Sequence, residues 1–205
     1  MTDLMERLQN PLKAHEIDFR VQSINRGGYA TVLAYKDARV DMKRLDEVFG
    51  VAGWQRDYKM VGNMFLCGVS IRSEDGEWIT KWDTGTESNA EAVKGLASDA
   101  FKRSCFNLGI GRELYDYPVI SIKLNGGGDK NGSSIEWFLD EKDKDRYGKP
   151  KVKAGWGLNL KEWVWHSVFD EESKELTFLA AKEFVNNKWV MRYQFGSMSK
   201  QEKPE

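Results

Sequence analysis

The chain has 205 residues, 40% of them hydrophobic, with 31 Lys and Arg against 32 Asp and Glu and a net charge of −1. That length buries roughly 70% of the unfolded surface in one large domain, or in one domain with a small appendage, which excludes a multidomain machine and global disorder. No apolar run approaches the roughly 20 residues of a membrane helix, and MTDLMERLQN lacks the basic and apolar segments of a signal peptide, so a cytoplasmic protein with no membrane partner is expected.

Thr2 is placed to cap a short helix carrying Leu4, Met5 and Leu8, which Asn10-Pro11 ends. Residues 17–24 and 29–35 read as two strands of a hairpin with a basic tip, Asn25-Arg26-Gly27-Gly28. Asp37 can cap the next helix, with Met42, Leu45, Val48 and Phe49 at helical spacing and Gly50 as its stop. Period-two runs at 54–60, 64–72 and 77–84, jointed by Gly62-Asn63 and Ser73-Glu74-Asp75-Gly76, predict an antiparallel meander. Ser88 and Glu91 then form a capping-box signature for a helix over 89–108, whose apolar stripe runs through Val93, Leu96, Ala97, Ala100, Phe101 and Leu108 to Gly109.

Past Pro118 the texture changes. GGGDKNGSS at 126–134 reads as a flexible segment, and KDKDRYGKPKVK at 142–153, with six basic residues to two acidic, as a solvated basic loop that serves equally well to contact a nucleic acid or to keep the loop soluble. Strands are expected at 162–169, 176–181 and 188–195, and disorder in SKQEKPE. The division is a core domain at 1–120, a basic loop with a β extension at 121–198, and a tail at 199–205.

Little here supports catalysis. The two histidines, His15 and His166, stand outside any metal or nucleophile motif, Cys67 and Cys105 read as buried thiols, and no phosphate-binding loop is present. Asp170, Glu172 and Lys174 are the nearest approach to a metal-nuclease set, but a solvated strand-to-strand loop explains them better. Residues 1–120 carry 16 basic and 18 acidic groups, so nucleic-acid binding would need a local stripe of cations. The long helix offers one: Lys94, Ser98 and Lys102 at i, i+4 and i+8 span about 12 Å, with Arg103 adjacent. The bland alternative is a solvated face on which Asp99 and Arg103 pair. Gly95 in mid-helix suggests close approach of another backbone.

Together these residues carry a family likeness. RVDMKRLDEVFGVAGW at 39–54, the meander after it, and GTESNAEAVKGLASDAFKRSCFNLGIGRELYDY resemble the Rad-fifty-two-type single-strand annealing proteins, especially the smaller bacteriophage versions, over about residues 17–117. The resemblance implies an α+β fold: an antiparallel β-meander packed on a long helix (β-β-β-α core), with an N-terminal hairpin and a small C-terminal β extension, assembling into rings or arcs. It implies single-stranded DNA in a basic groove, with contacts carried over to Arg20, Tyr35, Lys102 and Arg103. A longer hairpin makes Arg26 a further candidate, and Phe106 stands where the family often has another arginine. No cofactor is implied, since base pairing supplies the free energy. The partners implied are single-stranded DNA, further copies of the chain, a host or phage single-strand binding protein and a phage exonuclease. The expected function is therefore ATP-independent annealing in phage or prophage recombination, against two other readings: a metal-dependent nuclease, and a barrel that coats single strands. Trp156, Trp163, Trp165 and Trp189 are a stacking platform or, by preference, one face of a small sheet.

Overall fold

The computed structural model describes residues 2–86, 92–126 and 135–197. In chain order the elements are α1 (Thr2–Gln9), β1 (Asp18–Ile24), β2 (Tyr29–Tyr35), α2 (Ala38–Phe49), β3 (Trp54–Val61), β4 (Met64–Arg72), β5 (Trp78–Thr84) and α3 (Ala92–Leu108). Then follow β6 (Ile120–Lys123), β7 (Trp137–Lys144), β8 (Pro150–Ala154), β9 (Val164–Phe169), β10 (Leu176–Val185) and β11 (Lys188–Gly196). The fold is α+β with antiparallel sheets ordered β1-β2-β6, β3-β4-β5, β7-β8 and β11-β10-β9. The chain divides into two compact units, Met1–Ile17 with Lys36–Tyr115, and Asp18–Tyr35 with Asp116–Glu205.

The first unit is the meander with its helices. β4, the central strand, is buried without a break from Cys67 to Ile71, with Cys67, Val69 and Ile71 sharing one face, and α3 packs against β4 and β5 with Ala100, Phe101, Cys105 and Leu108 buried. Each large buried side chain there, Phe101 above all, contributes about 2–3 kcal/mol of apolar transfer free energy. The Ser104 hydroxyl pins the helix by donating to the Cys67 carbonyl at 2.6 Å. The close backbone approach on this helix is made by Gly85, where a Cβ would lie 2.4 Å from the Leu96 carbonyl oxygen. Asp37 caps α2 by accepting from the Arg39 amide, and Gly50 ends that helix at φ 69°. The expected capping pair Ser88 and Glu91 lies outside the described residues, as do Gly127–Ser134 and the tail from residue 198.

The second unit is built from strands. β2 pairs with β6, so the boundary expected after residue 120 falls inside a strand, and the hairpin before it shares a unit with the strands after it. Ile120 and Ile122 alternate with Ser121 and Lys123, a period-two signal only four residues long. The basic run at 142–153 is not a loop. Residues 142–144 and 150–153 belong to β7 and β8, whose charges pair laterally: Lys151 with Asp143 at 2.8 Å, Lys153 with Asp140 at 3.0 Å and with Asp143 at 2.8 Å. Composition counted these lysines as solvated, whereas strand pairing sets them beside acids.

The core of this unit gathers Ala30, Val32, Ile122, Leu179 and Ala181 with Trp137 and Trp163. A buried fork supports it: Arg192 donates to both Glu136 carboxylate oxygens at 2.8 Å, bonds Glu183, and lies 4.5 Å from the Trp163 ring centroid. Trp165 stacks on Phe19 with centroids 3.6 Å apart. The tryptophans thus divide, Trp163 and Trp165 packing inward while Trp156 and Trp189 stay exposed.

Candidate nucleic-acid interface

Within the first unit, α3 has two polar flanks with different tasks. Along one, Asp99 accepts from the Thr86 amide and hydroxyl at 3.0 and 3.2 Å, Arg103 donates through Nε to Asp83 at 3.3 Å, and Asn107 donates to the same carboxylate at 3.2 Å. Spacing of i, i+4, i+8 puts these three side chains in a row. Arg103 therefore finds its partner on β5, in Asp83, and keeps 42% of its side chain exposed.

Lys102, one residue before, is turned about 100° around the helix axis. It is half-buried and near enough to act electrostatically on both Asp37, whose carboxyl the Arg39 bonds hold below the usual range, and Asp41, which places it toward α2. Among the described residues it forms no ion pair. Lys94 lies in the first turn of α3, and its side chain is outside the described residues.

Beneath the Lys102 flank is a buried polar cluster. Lys36, fully buried, bonds Asp41 and the Ile110 carbonyl, the latter at 2.5 Å, and stands 4.0 Å from the Phe106 ring centroid. Burial pushes the Asp41 carboxyl up to about 6, against the pull of Lys36. Phe106 is thus a packing residue, edge-on to Tyr115 at 4.9 Å. A cation nevertheless stands at this end of α3: exposed Arg112 donates Nε and Nη2 to the Phe106 carbonyl at 3.2 and 3.0 Å, where the helix dipole favours positive charge. Sequence reasoning missed Arg112 because it follows the helix instead of lying in its stripe.

In the second unit, alternation decides which side chains meet solvent. Phe19 and Val21 of β1 and Ala30 and Val32 of β2 turn inward, so Arg20 and Tyr35 share the outer face. The Arg20 guanidinium lies 5.6 Å from the Tyr35 ring centroid. At the other end of β2 the same pattern repeats, with the Lys123 ammonium 4.6 Å from the Tyr29 ring. That second pair was not foreseen, since β6 was not. Arg26 is drawn aside: its Nη2 donates to the Pro150 carbonyl at 2.8 Å and lies 3.6 Å from Asp145, leaving 46% of the side chain exposed.

The weaker catalytic candidates resolve into structure. Asp170 accepts from the Glu172 and Ser173 amides at 3.0 and 2.7 Å, and those bonds hold its carboxyl below the usual range. Among the described residues no group of three or more His, Cys, Asp or Glu could hold a metal ion, and no helix is long and apolar enough to cross a membrane. Cys67 and Cys105 are free and buried, and burial raises both thiols, Cys67 to about 11.

Comparison with known proteins adds two findings. The profile of the Rad52/22 family double-strand break repair proteins matches residues 1–126. The single-stranded DNA-binding protein DdrA of Deinococcus radiodurans is 34% identical over 125 residues, 58% of this chain and 57% of that protein. Its namesake from Deinococcus deserti is 36% identical over 135 residues, 61% of this chain and 63% of that protein. The chain therefore spans about three fifths of each relative's length.

Proposed function

The chain belongs to the Rad52/22 family of double-strand break repair proteins, and from that premise we propose that it binds single-stranded DNA and anneals complementary strands in recombination and repair, without nucleotide hydrolysis. The observation that carries the reading is the Arg20–Tyr35 pair. A guanidinium for phosphate and a ring for a base stand 5.6 Å apart on one outward sheet face, the two contact types that sequence-independent binding needs. Lys102 and Arg103 supply further phosphate contacts, with Lys94 in line on the same helix. Arg26 acts indirectly, by holding the β1–β2 turn. The relatives' names support the choice of ligand.

Annealing requires that bases stay available for testing against a second strand, so contacts fall on phosphates and affinity is gathered by repetition. A near-neutral protomer suits this when many copies line one strand. β3 and β5 are the edges of their three-stranded sheet, and such edges favour pairing between copies. We assign the chain to a ring or arc of copies serving phage or prophage recombination, beside a single-strand binding protein and an exonuclease.

The test mixes two complementary fluorescent oligonucleotides with the protein, without nucleotide and with chelator, and then sizes the strands on a denaturing gel. Faster pairing with intact strands is expected, together with sedimentation far above the 23.6 kDa of one chain. Binding that blocks pairing would make it a coating protein, and strands shortened once magnesium is restored would make it a nuclease.

A further inference from the structure

The basic run at 142–153 does not act as one charge, and apart from exposed Lys142 its cations fall into two groups. On the shaft of the β7–β8 hairpin, Lys151 and Lys153 are neutralised by Asp140 and Asp143. At its tip, Lys144, Arg146 and Lys149 are exposed and form no ion pair among the described residues. The tip's one acid, Asp145, is engaged: it accepts from the Tyr147 and Lys149 amides, both at 2.9 Å, and faces Arg26. Its carboxyl is held below the usual range by those amides.

The tip also has a built shape. Asp145 and Lys149 close the turn with a 2.8 Å backbone bond, and Gly148 takes the φ of 76° that the reversal requires. Arg26 clasps the β1–β2 turn onto it through Pro150 and Asp145. On this fixed turn Tyr147 is 71% exposed, with the Arg146 guanidinium 4.8 Å from its ring centroid. The β1–β2 turn brings a second pair of the same kind, Tyr29 beneath Lys123, whose ammonium also bonds the Gly27 carbonyl.

Exposed rings beside unneutralised cations, on preorganised turns, match what a single strand offers: an unstacked base with a phosphate on each side. A duplex keeps its bases stacked inside, and an acidic peptide would leave the rings unused. We infer that this tip is a second contact for single-stranded DNA, with Arg146 and Lys149 on phosphates and Tyr147 stacked on a base. The inference rests on the proposed single-strand binding but uses residues beyond the 1–126 family match. It gives the C-terminal strands a task in guiding the strand.

The test uses the full chain and a labelled oligothymidylate, with 5-iododeoxyuridine placed in a second copy of the probe for photocrosslinking. Tyr147→Ala is expected to weaken binding by about fivefold or more, the low end of base–aromatic stacking, and Tyr147→Phe to restore it. Arg146→Ala with Lys149→Ala is expected to lower the slope of log affinity against log salt by about 1.4. Irradiation of the unaltered protein is expected to link the probe to Tyr147, a readout that needs no variant to fold. Binding lost in Lys102→Ala/Arg103→Ala but unchanged in every tip variant, with crosslinks only elsewhere, would overturn the tip and leave the DNA reading standing. No binding by the unaltered protein would overturn both.

Discussion

Replacing Lys102 and Arg103 by alanine tests the α3 contacts quantitatively, because the structure gives the two cations unequal surroundings. Each phosphate neutralised on a single strand contributes about 0.7 to the slope of log affinity against log salt. Lys102 forms no ion pair among the described residues and should count in full, whereas Arg103 already faces Asp83 at 3.3 Å and should count for less. The double variant is therefore expected to lower the slope by between about 0.7 and 1.4. At the upper limit, the ratio of wild-type to variant affinity shrinks about sevenfold between roughly 50 and 200 mM salt. Fluorescence anisotropy with an oligothymidylate at several salt concentrations measures this, and the single variants should rank Lys102→Ala above Arg103→Ala in slope lost. Adding Asp83→Asn should restore Arg103 to its full share. A variant that binds less tightly but with an unchanged slope would refute the phosphate assignment, since the lost affinity would then not come from charge.

Three other substitutions probe the frame that holds these residues. Gly28→Ala should cost about 2–4 kcal/mol in urea unfolding, because φ is 75° there and the new Cβ would lie 2.5 Å from the Trp137 Nε1. Lys36→Met should cost about 3–5 kcal/mol near neutral pH by leaving Asp41 buried and unpaired, and less near pH 5, where Asp41 takes up a proton. The sign follows from the raised pKa: Asp41 holds its proton more tightly folded than unfolded, so its contribution is complete below about pH 4 and is lost as pH rises through about 6, a trend that Asp41→Asn should remove in melts across that range. Cys67 and Cys105 should resist a thiol reagent in the native protein and both react in denaturant, because burial shields them and raises their pKa.

How far the sequence could be read depended on the range of the interaction involved. Hairpin, meander and helices follow from local signals, such as Asp37 before α2 and Gly62-Asn63 between β3 and β4, and the observed bounds lie within a few residues of those expected, apart from a longer β10. β6 escaped because a four-residue alternation is too short to stand out, although its partner β2 was plain. β7 and β8 escaped for a different reason. From residue 142 to 153 their side chains look solvated one at a time, and only register shows Lys151 and Lys153 beside Asp143. The site divides in the same way: α3 periodicity made Lys102 and Arg103 visible, while Asp83, which holds Arg103, lies twenty residues away in β5.

That difference matters for reading a near-neutral protein as a DNA binder. Net charge says nothing about which cations remain available, since an arginine in a fork such as Arg192 with Glu136 and Glu183 is spent on the fold. Lys36 is spent likewise, and so are Lys151 and Lys153 of the β7–β8 hairpin. Of the cations that no carboxylate among the described residues pairs with, Arg20, Lys102, Lys123, Lys144, Arg146 and Lys149 belong to the proposed contacts, and Arg112, Lys142 and others share the property. Arg20, Lys123 and Arg146 each also stand over a tyrosine ring. A surface selected only for solubility would scatter lone cations among acids. Repeated pairing of an unspent cation with a ring is a pattern that a flexible, charged chain of bases can read without regard to its sequence.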